Sequence, residues 1–260
     1  MTYWDAVVLG LLQGLTEFLP ISSSGHLVMA QYLLGLKQLL PFDVLVHVGT
    51  LLAVLTYYRR EVANMAMSPL FPSRVRGARR LLIMIVIGSI PTGLVGIAYQ
   101  KFLSGLFDSP VAVGIFWLVT AGLLFAASRL REGFDMVDRL TIPDALLIGL
   151  FQGIAILPGV SRSGATIAAG VICGLRPKEA ANFSFLLAIP AVAGATLMEA
   201  RDLQGLNGGQ WSVYLVGALV AALSGYAAIW MLLKLLHRRI IMPFAWYCIA
   251  ASLITWIALH

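Results

Sequence analysis

Two stretches of this sequence repeat one pattern: LLQGLTEFLPISSSGH at residues 11–26 and LFQGIAILPGVSRSGAT at residues 150–166. Seven residues in or just before the first stretch recur 139 positions later: Asp5, Gly10, Gln13, Gly14, Ser22, Ser24 and Gly25. This correspondence indicates a duplicated chain, with internal repeats at about residues 1–139 and 140–260. The copies differ in their polar residues, with Glu17, Ser23 and His26 in the first and Arg162 and Thr166 in the second. We therefore expect one site built from both repeats.

The composition is that of a membrane protein. Hydrophobic residues make up 60% of the sequence and charged residues 12%, with a mean hydropathy of +0.89. Soluble proteins carry roughly a quarter charged residues, so this chain has too few to cover a surface in water. The net charge of +6 comes from basic residues in short segments between apolar stretches, a pattern of membrane orientation, and nucleic acid is not expected as a partner. Neither Cys173 nor Cys248 has metal or disulfide spacing.

Six apolar stretches approach the length of a transmembrane helix, about 20 residues: 43–59, 81–99, 110–128, 180–199, 212–236 and 241–259. In contrast, residues 3–19 and 144–157 are each cut short by Leu-Pro and a Ser/Gly cluster, and a second short apolar run follows (27–36 and 165–175). Such paired broken segments are typical of re-entrant hairpins at a binding site between repeats. We predict an all-α polytopic membrane protein with a single integral membrane domain over residues 1–260. Each repeat would hold one re-entrant helical hairpin and three transmembrane helices, and because three is odd the repeats would be inverted.

The basic residues orient this predicted topology. The loops on one side hold 14 Lys and Arg residues, whereas the other side holds three, Lys37, Lys101 and Arg201. Because cytoplasmic loops are enriched in Lys and Arg, the first side is predicted to be cytoplasmic and both termini to lie outside. The first hairpin would then enter the membrane from outside and the second from the cytoplasm. The first apolar stretch has no basic start and contains Gln13 and Glu17, so we expect it to be retained rather than cleaved as a signal peptide.

Glu17 is the residue of the first hairpin whose position most strongly indicates function. A carboxylate in the hydrocarbon region is costly unless it is paired or hydrated, and Gln13, one helical turn earlier, shares its face. The cluster SSSGH at residues 22–26 follows and supplies hydroxyls, backbone N–H groups and an imidazole. A serine needs a base to act as a nucleophile, and Glu17 and His26 are both near in sequence. The cluster would equally fit a serine N-cap in a polar turn.

The second hairpin adds Arg162 to the same turn. Its planar guanidinium suits phosphate oxygens, and three nearby hydroxyls could donate to the same anion, those of Ser161, Ser163 and Thr166. Arg162 could bind a substrate phosphate, or it could only pair with Glu17 and hold the halves together. Asp43 and His47 share a helix face just after the first hairpin, and we expect supporting hydrogen bonds from them rather than chemistry.

These motifs resemble those of the bacterial undecaprenyl-diphosphatase family, also called bacitracin-resistance proteins. The segment QGLTEFLPISSSGH is similar to the family's (E/Q)-x-x-x-E motif with its Ser-rich turn and His, and LPGVSRSGAT is similar to its Pro-Gly-x-Ser-Arg-Ser-x-x-Thr motif. The resemblance covers essentially the whole chain, including FDVLVHVGTLLAV and NFSFLLAIPA after the two hairpins. Many relatives have Glu where this chain has Gln13, which puts direct metal ligation by residue 13 in doubt.

The resemblance implies an enzyme of the bacterial inner membrane whose site opens to the periplasm. It would remove the terminal phosphate from undecaprenyl diphosphate, recycling the carrier for peptidoglycan and other envelope glycans, with bacitracin resistance as a consequence. It also implies a divalent cation, Mg²⁺ or Ca²⁺, which we expect to bridge Glu17 and substrate phosphates. We expect catalysis from Glu17, Ser23, His26 and Arg162, and substrate contacts from Gln13, Ser22, Ser24, Ser161, Ser163 and Thr166.

The nucleophile is predicted to be Ser23, because its repeat counterpart is Arg162 whereas the neighbouring serines have serine counterparts. His26 could take its proton or protonate the leaving phosphate, and Glu17 could orient His26, act as the base or hold the metal. Alternatively, a metal-activated water attacks and Ser23 only donates a hydrogen bond. The main alternative function is a transporter or flippase of isoprenoid phosphates, since inverted repeats with broken helices are transporter architecture. A non-catalytic bacitracin-binding protein is a third alternative, and a homodimer is left open.

Overall fold

The chain is helical in its computed structural model, which describes residues 1–36, 39–71, 76–99, 110–130, 134, 139–203, 205–238 and 240–258. In this part of the chain there are eleven α-helices: α1 (Tyr3–Phe18), α2 (Ser23–Leu33), α3 (Leu40–Tyr57), α4 (Arg59–Met67), α5 (Arg76–Tyr99), α6 (Pro110–Ser128), α7 (Ile142–Ile154), α8 (Arg162–Ile172), α9 (Pro177–Glu199), α10 (Gly208–His237) and α11 (Met242–Ala258). The prediction of an all-α chain is confirmed for the described residues.

Five of the described helices are long and apolar enough to cross a membrane: Leu40–Tyr57, Gly77–Ala98, Pro110–Ser128, Pro177–Glu199 and Gly208–His237. They coincide with five of the six stretches predicted from hydropathy. The sixth stretch forms α11, which is apolar but has only 17 residues, so its crossing stays a prediction. The chain is thus a multi-pass membrane protein by the length and composition of its helices.

The first cytoplasmic loop predicted from the sequence, residues 59–80, contains a helix that the sequence does not predict. This helix, α4, has nine residues and buries Met65. It is too short and too polar to give a transmembrane signal, which is why hydropathy does not reveal it. Several basic residues used for the predicted orientation lie outside the described residues: Lys37, Arg74, Lys101, Arg131 and Arg239.

The two broken segments begin and break in equivalent ways. α1 and α7 each start with a capping box, in which the hydroxyl of Thr2 or Thr141 accepts a hydrogen bond from the backbone N–H three residues later. Each helix ends short of a membrane crossing, and the chain resumes in α2 at Ser23 and in α8 at Arg162, which are repeat counterparts. Two helical hairpins are therefore present where they are predicted, and their re-entrant course in a bilayer stays a prediction.

Each hairpin packs on the other half of the chain. α1 lies against α10, α7 lies against α5, and α6 lies against α11. A Cβ added to Gly10 would lie 2.4 Å from the carbonyl oxygen of Gly217, and one added to Gly149 would lie 1.9 Å from that of Gly88. Gly10 and Gly149 are repeat counterparts, so the two helix crossings are equivalent, and only glycine allows such close backbones. The halves are interlocked, and their inversion across the membrane stays a prediction.

Candidate active site

The turn of the first hairpin brings the serine cluster back against the end of α1. Ser22 caps α2, because its hydroxyl accepts a hydrogen bond from the N–H of Gly25 at 3.3 Å. Its φ of +67° lies in the left-handed region, which is unfavourable for a residue with a side chain and often marks functional turns. With the backbone turned in this way, Ser23 Oγ donates a hydrogen bond to Glu17 Oε2 at 2.5 Å.

The turn of the second hairpin has an ordinary backbone at the equivalent serine. Ser161 has a φ of −71° and caps α8 by accepting from the N–H of Gly164 at 3.0 Å. Thr120 of α6 supports this turn, since its hydroxyl accepts from the N–H of Ser161 at 2.9 Å and donates to the carbonyl of Gly159 at 3.2 Å. These contacts fix Arg162 as the first residue of α8.

The two turns are in direct contact. Ser163 Oγ donates to the carbonyl oxygen of Leu19 at 2.9 Å, so this serine joins the two hairpins. From α6, Trp117 donates through Nε1 to the carbonyl oxygen of Ile21 at 2.9 Å. Both turns are thereby held by the same helix and by each other. This arrangement holds the polar residues of the two repeats at a fixed separation.

Glu17 is the centre of the polar cluster. Its Oε1 accepts from Arg162 Nη2 at 2.5 Å, and its Oε2 accepts from Ser23 Oγ at 2.5 Å and from Gln13 Nε2 at 2.9 Å. The Nε2 of His47 lies 3.8 Å from Oε2. The side chain of Glu17 is only 5% exposed, so these partners, and not bulk water, compensate for its charge. The structure thus brings together three predicted residues of the first repeat and one of the second.

Arg162 has one end of its guanidinium paired and the other without a hydrogen-bond partner among the described residues. Nη2 binds Glu17, while Nη1 is buried and has no hydrogen-bond partner among the described residues. The side chain is 20% exposed and borders a cavity. A planar fork of this kind can bind a phosphate oxygen through its second nitrogen while it stays paired with the carboxylate. Both roles predicted for Arg162, the interface ion pair and the phosphate contact, are compatible with this geometry.

His26 is directed away from Ser23 and Glu17. Its Nδ1 lies 2.6 Å from the carbonyl oxygen of Ser22, and its Nε2 lies 2.6 Å from the hydroxyl of Tyr247. The ring stacks on that of Tyr247, with centroids 5.6 Å apart. Proximity in sequence suggested a serine–histidine pair, but the helical turn after Ser22 points the imidazole toward α11. Both ring nitrogens of His26 thus have partners other than Ser23, whose hydroxyl donates to Glu17, and the catalytic role of His26 stays a prediction.

The remaining residues predicted to contact substrate fall into two groups. Those that border the cavity are Ser22, Ser24 and Ser161. Those that do not are Gln13, Ser163 and Thr166. Thr166 is buried, donates to the carbonyl of Arg162 at 2.8 Å and shares a hydrogen bond with Ser184 at 2.5 Å. Its geometry is that of a residue that supports the turn.

A cavity of about 520 Å³ opens beside the polar cluster. Its lining includes Glu17, Ser23 and Arg162 as well as many small and apolar residues of α5 and α9. Examples on α5 and α9 are Gly93, Gly96, Ile97, Pro190, Ala191 and Val192. The lining therefore combines polar groups that could bind an anion with apolar residues that could contact a hydrocarbon chain.

The cavity also contains polar residues that sequence motifs do not identify as a site: Asp43, His47, Ser89, Thr92, Gln152 and Glu199. The sequence gives a weak indication for two of them, because Asp43 and His47 are polar residues one turn apart in an otherwise apolar helix. The sequence also indicates Gln152 weakly, since it is the repeat counterpart of Gln13. Both glutamines keep a buried Oε1 without a hydrogen-bond partner among the described residues. Ser89 and Glu199 can be assigned to the cavity only from the packing of the helices, because no sequence pattern marks them.

The donor atoms near Glu17 fit a metal ion that shares its ligands with a substrate. Among the described residues there is no group of three or more His, Cys, Asp or Glu side chains that could hold a metal ion. Glu17 borders the cavity and offers carboxylate oxygens, whereas Gln13, whose Oε1 is unpaired among the described residues, is fully buried and does not border it. Mg²⁺ is commonly bound by one or two protein oxygens together with phosphates and water. The residues present therefore suit a divalent cation bridged by substrate phosphates.

Comparison with known proteins agrees with the motifs. The family described as "Bacitracin resistance protein BacA" matches residues 6–254. An "Undecaprenyl-diphosphatase" of Syntrophotalea carbinolica is 43% identical over 251 residues, which is 95% of each chain. Proteins with the same name are 38% identical in Methanosphaera stadtmanae, over 96% of each chain, and 39% identical in Carboxydothermus hydrogenoformans, over 95% of this chain and 94% of the relative. A match of this length and identity is decisive: the chain belongs to the bacitracin resistance protein BacA family.

Proposed function

We propose that this protein is an undecaprenyl-diphosphate phosphatase, which hydrolyses undecaprenyl diphosphate to undecaprenyl phosphate and inorganic phosphate. Relatives with that name match almost the whole chain. The observation that carries the proposal is the contact of Ser23 and Arg162 with the two oxygens of Glu17. A transporter of isoprenoid phosphates would need the arginine, but it would have no use for a serine hydrogen-bonded to a carboxylate. The transporter alternative is therefore not favoured.

The shape of the cavity suits this substrate. A lipid diphosphate has an anionic head and a long apolar tail, and the cavity is lined by Arg162 and by apolar residues of α5 and α9 such as Ile97, Pro190 and Val192. The N-termini of α2 and α8 lie beside the polar cluster, where Ser23 and Arg162 are their first residues. Helix N-termini favour phosphate because their free N–H groups and dipoles are positive.

The cluster supports the following chemistry. Nη1 of Arg162 binds an oxygen of the terminal phosphate, and Ser23 Oγ attacks its phosphorus while the serine proton passes to Glu17 Oε2. The bond between that phosphorus and the bridging oxygen breaks, which releases undecaprenyl phosphate. Water then cleaves the phosphoserine and releases inorganic phosphate. In the alternative, water attacks directly with Glu17 as its base, and Ser23 only donates a hydrogen bond to the phosphate.

A bound divalent cation would add positive charge against the diphosphate oxygens, as such ions do in phosphoryl transfer. Glu17, which borders the cavity, would hold it together with the substrate phosphates. We include Mg²⁺ or Ca²⁺ in the proposal for this reason. Arg162 would supply a positive charge that is part of the chain, and the cation would supply a further positive charge that can dissociate.

We place the enzyme in the bacterial inner membrane, with its site open to the periplasm and its two repeats inverted. The support is the distribution of basic residues, 14 on the predicted cytoplasmic side against three on the other. In that location it would recycle the lipid carrier for peptidoglycan synthesis. It would also compete with bacitracin for the diphosphate and so confer resistance.

The test is release of phosphate by purified protein in detergent, with undecaprenyl diphosphate and Mg²⁺. The wild-type protein should release inorganic phosphate, and Ser23→Ala should abolish release if Ser23 is the nucleophile. If water attacks, the same variant should retain activity reduced by about 10²-fold or less. Ser128→Ala is the matched control, because Ser128 only bonds the carbonyl of Phe125 within α6. Binding of the lipid by the wild-type protein without any phosphate release would refute the proposed activity.

A further inference from the structure

We infer that the prenyl chain of the lipid substrate leaves the cavity sideways into the membrane, between the second halves of α5 and α9. We call this passage the chain gap and define it by Gly93 and Gly96 on α5 and by Pro190 and Gly194 on α9, all of which border the cavity. The inference rests on the proposed function and adds to it the residues that decide whether a long chain fits.

The helices α5 and α9 are in contact just before the chain gap. A Cβ added to Gly88 of α5 would lie 3.1 Å from Cδ1 of Leu187 on α9. Further along the two helices, a Cβ added to Gly93 or to Gly194 would meet no atom within 4 Å. Both of these glycines border the cavity, so the helices leave open space at its level.

The burial of both helices changes at the same point. Gly88, Leu187 and Ala188 are buried, whereas no residue is buried at positions 89–98 of α5 or 189–199 of α9. Each helix has an interior proline near this boundary, Pro91 in α5 and Pro190 in α9. An interior proline removes one helix hydrogen bond and favours a bend. The second halves of the two helices thus stand away from the core and flank the cavity.

The chain gap opens toward hydrocarbon. Ile97 borders the cavity and is 65% exposed, and Leu94 on the same helix is 66% exposed. Both α5 and α9 are long and apolar enough to cross a membrane. Large apolar side chains that are exposed on such helices mark a surface in contact with lipid. A chain that passes Gly93 and Gly194 would therefore enter the bilayer.

A polar side chain lies where α5 and α9 separate. Gln152 of α7 borders the cavity, is 2% exposed, and has an Oε1 without a hydrogen-bond partner among the described residues. Its Nε2 donates to Thr92 Oγ1 at 3.1 Å and to the carbonyl oxygen of Leu187 at 3.5 Å, which fixes the direction of the amide. A buried acceptor without a donor is unfavourable, so we expect a ligand or its hydration water to supply one. A water bound to the diphosphate would do so and would hold the head group on the inner side of the chain gap.

The size of the cavity requires an exit for the chain. Its volume of about 520 Å³ lies within the range of pockets that hold a drug-sized molecule, roughly 300–1,000 Å³. The diphosphate and the first prenyl units would fill this space, and the rest of an undecaprenyl chain would lie outside it. Exit into the bilayer keeps that part of the chain in hydrocarbon, whereas exit into water would expose it at a large cost in free energy.

The kinetic test uses Gly93→Leu and Gly194→Leu, whose side chains would occupy the open space of the chain gap. The two compounds compared are undecaprenyl diphosphate and dimethylallyl diphosphate, whose single prenyl unit stays inside the cavity. We expect KM for the long compound to rise at least about tenfold and kcat to change less than about threefold, because contacts with the chain contribute to binding and not to the reaction step. KM of the short compound, or its inhibition constant against the long one, should change by less than about threefold.

The matched control is Gly122→Leu on α6. A Cβ added to Gly122 would also meet no atom within 4 Å, but this glycine does not border the cavity, so KM should be unchanged. Thermal unfolding in the same detergent shows whether the variants are folded, and Gly194→Ala, which adds only a methyl group, should keep the wild-type KM. Wild-type KM for undecaprenyl diphosphate in both folded leucine variants would overturn the inference. Equal increases for the two compounds, or an increase in Gly122→Leu, would overturn it as well.

A second measurement locates the chain without catalysis. The probe is a prenyl compound with a methylene-bridged diphosphate, which cannot be hydrolysed, and a photoreactive diazirine on its third prenyl unit. After irradiation we expect adducts at residues 90–98 and 190–198 of the wild-type protein, and few in Gly194→Leu. Adducts confined to other helices, such as α6 or α11, would overturn the inference. Adducts at the chain gap of a protein that releases no phosphate would refute the proposed phosphatase activity and leave the path of the chain established.

Discussion

Replacing Arg162 with lysine tests whether the shape of the cation matters as well as its charge. Arg162→Lys keeps the positive charge beside Glu17 but replaces the two-nitrogen fork with a single ammonium group. In the structure Nη2 is used by Glu17 and Nη1 is unpaired. One ammonium cannot occupy both positions, so the variant can keep the ion pair or bind the phosphate, but it loses one of the two contacts.

The magnitude follows from the contact that is lost. A hydrogen bond to a charged group contributes about 1.5–3 kcal/mol, and each 1.36 kcal/mol corresponds to a tenfold change in rate. We therefore expect kcat/KM to fall by about 10-fold to 10²-fold. Arg162→Ala should lower kcat/KM further, because it removes both contacts. It should also lower the free energy of unfolding by about 3–5 kcal/mol, because Glu17 stays buried without the cation that pairs with it.

The assay is steady-state phosphate release by the wild-type protein, Arg162→Lys and the control Arg129→Lys. Arg129 lies at the end of α6, exposed and away from the cavity, so its replacement should leave kcat/KM unchanged. Thermal unfolding in the same detergent shows whether the lysine variant is folded. Turnover of a folded Arg162→Lys within about twofold of wild type would mean that Arg162 acts only as an interface ion pair, and the phosphate contact would be withdrawn.

Three further predictions concern the packing, the topology and the metal. Gly149→Ala should lower the unfolding temperature and the free energy of unfolding, the latter by about 1–3 kcal/mol or more, because its Cβ would lie 1.9 Å from the carbonyl oxygen of Gly88. Gly122→Ala is the control, because its Cβ would meet no neighbour within 4 Å, and it should unfold at the wild-type temperature. Equal unfolding temperatures for the two variants would refute the close packing of α7 on α5. In spheroplasts an impermeant maleimide should label Gly208→Cys but not Leu70→Cys, and the reverse result would invert the proposed orientation. EDTA should stop phosphate release and added Mg²⁺ or Ca²⁺ should restore it; full activity in excess EDTA would exclude the cation.

The features that could be predicted from the sequence are those set by local composition or by the repeat. Hydropathy locates five long helices, because a span needs only length and apolar side chains. The two hairpins follow from Leu-Pro and Ser/Gly breaks at matching positions. The expectation that Glu17 and Arg162 belong to one site follows from the high cost of burying either charge alone, and the structure places them in contact.

The features that could not be predicted depend on the direction of a side chain around its helix. His26 follows Glu17 closely in the sequence and His47 lies 30 residues after it, yet the structure places the ring of His47 beside the carboxylate and that of His26 against Tyr247. The ring of His26 is held at Nδ1 by the carbonyl of Ser22 and at Nε2 by the hydroxyl of Tyr247, which is 221 residues distant. The approach of His47 is decided by the packing of α3 beside α1. Such long-range contacts are set by tertiary packing, which local patterns do not encode.

The duplication explains why the carboxylate of Glu17 accepts hydrogen bonds from equivalent positions of both repeats. Ser23 and Arg162 are repeat counterparts and the first residues of equivalent helices, α2 and α8. Each contacts one oxygen of the same residue, Glu17. Equivalent turns therefore present a hydroxyl from one repeat and a guanidinium from the other, next to two helix N-termini that favour an anion. Because neither repeat contains both groups, this cluster exists only where the two turns meet, and the proposed mechanism therefore depends on the interlocked packing of the hairpins.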